Sequence, residues 1–191
     1  MAVLISMLRG VNVGGHHKIK MDALRALYAS LKLEDARTYV QSGNVIFRTK
    51  EKSVTAQNLA ALAKKIQSAI ESEFGFRPEV ILRTADELRK AIAASPFLGR
   101  RDIEPGKLLI TFLAAEPDAA GARSALLGLK DHPEELHLKG RELYIYFPNG
   151  AGKSKLPWSS VEKLLKVTGT ARNLNSATKM LEIAEEMASP G

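Results

Sequence analysis

The order in which strand-like and helix-like segments follow one another, and its recurrence roughly a hundred residues later, constrains the fold of this chain more than any single motif. An apolar run at 2 to 8, Ala2-Val3-Leu4-Ile5-Ser6-Met7-Leu8, reads as a strand, and its lack of alternation predicts cover on both faces. A helix is predicted near 21 to 32, because Leu24, Leu27, Tyr28 and Leu31 share one face at helical spacing. Strand-like runs near 36 to 41 and 45 to 48 flank Ser42-Gly43-Asn44, where a glycine supplies the positive φ of a tight hairpin. Leu59, Leu62, Ile66, Ile70 and Phe74 mark the buried stripe of a long helix that begins near Ser53 and is closed by Gly75 in a left-handed cap. A strand near 79 to 83 then enters Thr84-Ala85-Asp86-Glu87, which has capping-box spacing, and the helix it starts is predicted to stop before Pro96.

The segment from 96 to 106 holds Pro96, Gly99, Pro105 and Gly106 around the Arg100-Arg101-Asp102 cluster and reads as a connection. After it the order begins again. A strand at 107 to 115 leads to a helix near 118 to 129, a strand near 135 to 139, the turn Lys139-Gly140-Arg141, a strand at 142 to 147, a helix near 159 to 167 and a short strand near Thr170. A last amphipathic helix turns Leu174, Ala177, Met180, Leu181 and Ala184 inward. The predicted fold class is therefore α+β: two ferredoxin-like βαββαβ halves related by duplication, with an additional C-terminal helix. The expected boundaries are 1–95 for the first half, 96–106 for the connection, and 107–191 for the second half with its C-terminal helix. Element order carries the duplication, since the halves share no convincing residue identity.

Between the first strand and first helix lies Leu8-Arg9-Gly10-Val11-Asn12-Val13-Gly14-Gly15. A strand, then glycines, then a helix lets backbone N–H groups approach an anion closely and adds the positive end of the helix dipole. Arg9, Asn12, Gly14 and Gly15 thus form the first candidate site, one cation and one amide beside exposed backbone donors, suited to phosphate or carboxylate. The same residues have a structural reading: Asn12 bridging turns, Arg9 pairing with an acid, glycines permitting a sharp reversal. Gln41, Ser42 and Asn44 line the same cleft if their hairpin lies beside this loop, although hairpin geometry alone accounts for the glycine and asparagine.

This opening, continued by Lys18-Ile19-Lys20-Met21, resembles the start of a widespread bacterial family, DUF1697, catalogued as a domain of unknown function. Three further segments fit that family in order: Tyr39-Val40-Gln41-Ser42-Gly43-Asn44-Val45-Ile46-Phe47, then Pro148-Asn149-Gly150 running to Ser154-Lys155-Leu156, then Thr170-Ala171-Arg172-Asn173 with Thr178-Lys179. The resemblance spans nearly the whole chain. It implies an α+β fold with two related ferredoxin-like halves and implies no established activity.

Composition narrows the partners. The 191-residue chain carries a formal charge of +7, which favours anionic partners such as nucleotides, phosphorylated small molecules or nucleic acid. Its basic residues are mostly scattered along helices, with local clusters at Lys18 and Lys20, Arg100 and Arg101, and Lys153 and Lys155. Cysteine is absent, which excludes disulfides, thiol catalysis and cysteine-ligated metals. The apolar run at 2 to 8 is too short to span a bilayer and follows no basic segment, so the expected location is cytoplasmic, away from membranes. His16 and His17 adjoin the glycine loop, but His132 and His137 share no ligand spacing with them, so neither a metal nor another cofactor is expected.

Two further motifs bear on anion binding. Asn149-Gly150-Ala151-Gly152-Lys153-Ser154 superficially resembles a P-loop, but Phe147 stands where its first glycine belongs and Pro157 interrupts the helix that should follow. A milder reading has Lys153, Ser154 and Lys155 contacting an anion from a polar loop, which is otherwise a solvated connection between a strand and a helix. Near the end, Arg172 and Asn173 sit at the start of the last helix, again suited to an anion, with Lys179 one turn and a half further on. Tyr144 and Tyr146 alternate onto one face of a strand and invite a stacked base, as in RNA-recognition domains, or simply cover a half-buried sheet. No nucleophile, acid and base fall into an interpretable pattern. The expected function is binding of an anionic ligand, a phosphorylated small molecule or nucleic acid, through the glycine-rich loop. The alternatives are a phosphoryl-transfer or hydrolytic enzyme, and a protein-interaction module without a small-molecule ligand.

Overall fold

Two four-stranded antiparallel sheets carry the chain, each built from the same element order. The computed structural model describes residues 1–50, 54–129, 132–156 and 158–189. Its elements are β1 (Ala2–Leu8), α1 (Met21–Ser30), β2 (Glu34–Tyr39), β3 (Asn44–Thr49), α2 (Ala56–Phe74), β4 (Val80–Thr84), α3 (Ala85–Ala93), β5 (Leu108–Leu113), α4 (Ala119–Leu127), β6 (Glu135–Lys139), β7 (Glu142–Tyr146), α5 (Trp158–Leu165), β8 (Gly169–Asn173) and α6 (Leu174–Ala188). The spatial orders are β2-β3-β1-β4 and β6-β7-β5-β8, all pairs antiparallel. This is the ferredoxin-like βαββαβ arrangement used twice, with α6 as the additional C-terminal helix. Packing groups the residues into two units, Met1–Arg89 with Lys179–Gly191, and Lys90–Thr178. The divisions fall inside α3 and inside α6.

In the first unit, the even positions of β1 face the helices, because side chains alternate along a strand. Leu4 and Leu8 pack with Val45 and Phe47 of β3, Val80 and Leu82 of β4, Leu24, Leu27 and Tyr28 of α1, and Ile66 and Ile70 of α2. Ser6 lies on this face too, and its Oγ meets the Tyr28 Oη at 2.7 Å, so that neither buried hydroxyl is left unsatisfied. Truncating a core residue such as Phe47 to alanine costs about 3–5 kcal/mol. Ile5, Met7, Ile46, Ile81 and Arg83 are buried on the opposite face. The strand is covered on both sides, as its unbroken apolar run requires.

Local signals set the helix ends. The Thr55 side chain accepts from the Asn58 N–H at the start of α2, and Gly75 closes it with φ 77°. Ser53, near which the sequence places this start, lies outside the described residues. At α3, the Glu87 N–H donates to Thr84 Oγ1 (3.0 Å) and the Thr84 N–H to Glu87 Oε2 (2.9 Å), a reciprocal capping box. Asn173 does the same job at α6, its Oδ1 accepting from the Ser176 N–H at 2.8 Å. In both halves, then, the last strand residue is the cap of the next helix. The second core gathers Leu113, Leu138, Leu143, Ile145 and Phe147 against Ala122 and Leu126 of α4 and Val161 and Leu165 of α5. On the other face of that sheet, Tyr144 donates to the Ala91 carbonyl at 2.6 Å and Tyr146 to the Asp102 carbonyl at 3.1 Å, both rings buried. A base has no access to either tyrosine. The stacking surface considered from their alternation does not exist, because α3 and the segment after it cover that face.

Candidate functional site

The glycine-rich segment folds as a small hairpin. His16 donates its N–H to the Val13 carbonyl (3.1 Å) and Asn12 to the His17 carbonyl (3.2 Å), while Gly14 and Gly15 take φ 59° and 81° at the two central positions. Two consecutive positive φ angles are what a type I′ reversal needs, so the glycines serve the turn. Arg9 leaves β1 with its N–H on the Glu79 carbonyl at 2.9 Å.

Asn12, itself at φ 57°, locks this hairpin to its surroundings. Its Nδ2 donates to the carbonyls of Ile19 (3.0 Å) and Gln41 (2.8 Å), and its Oδ1 accepts from the Ile19 N–H (2.9 Å). The bridging reading of Asn12 is the one its contacts support. Through Gln41 it brings the β2–β3 turn beside the loop, as does the Leu8 N–H on the Gly43 carbonyl at 2.9 Å. Gly43 makes that approach possible: a Cβ there would fall 2.8 Å from Leu8 Cβ. Ser42 and Asn44 serve the same turn, Asn44 Nδ2 donating to Ser42 Oγ (2.9 Å) and to the Tyr39 carbonyl (3.1 Å).

Where loop, turn and helix meet, an open cleft of about 690 Å³ is lined by Asn12, Gly15, Lys18, Ile19, Lys20, Met21, Asp22 and Gln41. Ile19 is buried, so Lys18 and Lys20, two apart on extended chain, both project outward. Lys20 is the N-cap of α1, and no side chain caps the helix. The first-turn N–H groups therefore end at the cleft with the positive end of the dipole, roughly half an elementary charge. Asp22 is taken up by Arg25, which also donates to Thr38 Oγ1 at 2.7 Å. Lys18 and Lys20 make no ion pair among the described residues. Two ammonium groups and a helix N-terminus thus face the cleft, and the carboxylate in its lining, Asp22, is engaged by Arg25 rather than by either lysine.

The remaining candidates sit elsewhere. Lys153 lies in a 3₁₀ turn at Ala151–Lys153, and the hydroxyl of Ser154 accepts from the Leu156 N–H at 3.0 Å beside a mainly apolar cavity of about 280 Å³. The helix after this loop starts at Trp158, so lysine and hydroxyl do not stand at a helix N-terminus as a P-loop requires; Pro157 is outside the described residues. Arg172 is buried in the second sheet, where its Nη1 donates to Thr170 Oγ1 and to the Ala171 carbonyl, both at 2.8 Å. Burial lowers its pKa to about 10, and the guanidinium stays charged at neutral pH. Asn173 is occupied in capping α6, and exposed Lys179 pairs with Glu182 at 2.8 Å. Among the described residues, no group of three or more His, Asp or Glu side chains is arranged to hold a metal ion.

The site thus differs in emphasis from its sequence outline. Asn12, Gly15 and Gln41 come together, whereas Lys18 and Lys20, visible in the sequence only as a local basic cluster, supply the charge. Their signal was the alternation Lys-Ile-Lys immediately before a helix: a buried isoleucine between two cations puts both ammonium groups on one side.

A duplicated ferredoxin-like α+β protein with a cationic cleft at its first helix is the class these features define. The family model described as protein of unknown function (DUF1697) matches residues 1–144, and the chain belongs to that family. Among solved structures it is similar to the conserved bacterial protein SP0830 from Streptococcus pneumoniae, at 22% identity and a TM-score of 0.68, covering 96% of this chain and 98% of that one. That likeness concerns the fold. No curated protein matches the sequence. Among the described residues, no helix is long and apolar enough to cross a membrane.

Proposed function

We propose that the protein binds a small phosphorylated molecule in the cleft at the N-terminus of α1. The observation that carries this reading is the convergence of Lys18, Lys20 and the uncapped first turn on an open volume of about 690 Å³ whose carboxylate, Asp22, is held by Arg25. A dianionic phosphate answers each of those features, accepting backbone N–H bonds while pairing with ammonium groups. Gln41 adds an amide at the rim, and the Asn12 clamp holds hairpin and helix in fixed relation, so little ordering is left for binding. The net charge of +7 adds long-range attraction.

A thermal-shift screen with nucleotides, sugar phosphates and short oligonucleotides tests the proposal. Ligand at about a hundred times its dissociation constant adds roughly 2.7 kcal/mol, a shift of several degrees. A shift that Lys18→Ala with Lys20→Ala removes, and that is only modestly weakened by salt, supports a phosphorylated small molecule. A shift confined to oligonucleotides and falling steeply with salt replaces the small molecule by nucleic acid. No shift from any probe refutes the anion cleft.

A further inference from the structure

The second unit holds a cavity of another character. About 520 Å³ in volume, it is walled by Leu126, Leu129, Leu136 and Leu138, and the side chain of Glu134 is only 3% exposed within its lining. Glu134 Oε2 faces His132 Nδ1 at 3.5 Å, yet neither atom makes a hydrogen bond among the described residues. The ammonium of Lys139, also in the lining, donates to the Ala94 carbonyl at 2.8 Å. A buried carboxylate oxygen without a donor is costly, and its presence in a cavity wall calls for a donor that the described residues do not supply.

We propose that this cavity is a second ligand site, independent of the α1 cleft, and that it takes a small apolar molecule carrying a primary amine. A carboxylate only accepts hydrogen bonds, so the complementary head group is a donor, and an ammonium brings three N–H donors together with the opposite charge. The four leucines form the apolar wall on which an alkyl or aryl body lies. A carboxylate or phosphate head would meet Glu134 as a like charge. The volume is of the size that encloses a small organic ligand.

Calorimetric titration of the full chain with phenethylamine, phenylethanol and phenylpropionate tests this. The amine is expected to bind at one site per chain, more tightly than the alcohol, and the carboxylate not to bind. Glu134→Gln, which keeps the shape but removes the charge, is expected to weaken the amine at least about tenfold. Equal binding of the three probes, no binding of the amine, or undiminished binding by a folded Glu134→Gln protein overturns the proposal. Should that variant fail to fold, amide chemical shifts of the native protein decide: amine-induced changes at Leu129, Leu136 and Leu138 sustain it, and changes confined elsewhere refute it.

Discussion

Replacing Asn12 by alanine removes three hydrogen bonds at once, the two from Nδ2 to the Ile19 and Gln41 carbonyls and the one that Oδ1 accepts from Ile19. Each contributes about 1 kcal/mol net, less where water replaces the partner. Asn12 also holds φ 57°, a backbone region that costs alanine about 1 kcal/mol or more. The sum predicts a loss of about 2–4 kcal/mol, or a melting temperature lower by about 5–15 °C for a chain of this length. Urea denaturation followed by circular dichroism reads the total. Two companions divide it. Asn12→Gly relaxes the backbone and isolates the hydrogen bonds, so it is expected to cost less than alanine. Asn12→Asp turns the donor end into an acceptor facing two carbonyls and is expected to destabilise despite its equal size. Hydrogen exchange at the Ile19 amide, the donor to Oδ1, should accelerate in the alanine variant. An alanine variant within about 0.5 kcal/mol of the native protein refutes the clamp.

Gly43→Ala places a Cβ 2.8 Å from Leu8 Cβ at φ 74°, so it should destabilise by about 2 kcal/mol or more and separate the two loops; a melting temperature equal to that of the native chain contradicts that packing. Burial pushes the hydroxyls of Tyr28 and Tyr144 well above the usual tyrosine range, led in both by desolvation. Their folded pKa values exceed the unfolded ones, so the stability they lend is present below about pH 10 and lost as pH rises, by at most about 1.4 kcal/mol per pH unit each. Tyr28→Phe should therefore flatten the alkaline loss of stability while costing about 1 kcal/mol at neutral pH, where Ser6 loses its partner; an unchanged alkaline slope refutes this.

The elements were legible because each rests on a local signal. The Thr84–Glu87 capping box, the Gly75 cap and the apolar stripe through Ile66 and Ile70 act within a few residues of chain, and the structure contains all of them. Boundaries slipped where backbone irregularity has no periodic trace. β2 begins at Glu34 rather than near 36, with a register shift between Glu34 and Arg37 and a positive φ at Asp35. The 3₁₀ turns at Pro105–Lys107 and Ala151–Lys153 are too short to show a period. The alternation of Tyr144 and Tyr146 correctly placed both on one face, but what lies over that face comes from 44 and 53 residues away.

The candidate site was half legible for the same reason. The glycines announced a reversal, which they make, while the partners of Asn12 lie 7 and 29 residues along the chain, beyond any spacing rule. Lys18 and Lys20 gained meaning only when α1 was seen to lack a side-chain cap. His132 was weighed only against the other histidines, and Glu134 carried no signal at all; the interest of the pair comes from burial, which sequence does not display.

The most direct test of the cationic cleft is a titration of the ¹⁵N-labelled protein with inorganic phosphate, following the amides of Met21, Asp22 and Ala23 at the first turn of α1. Saturable shifts are expected at those amides, and they should vanish in the Lys18→Ala, Lys20→Ala protein. Shifts absent at that turn, or unchanged when both lysines are removed, would contradict the cationic cleft.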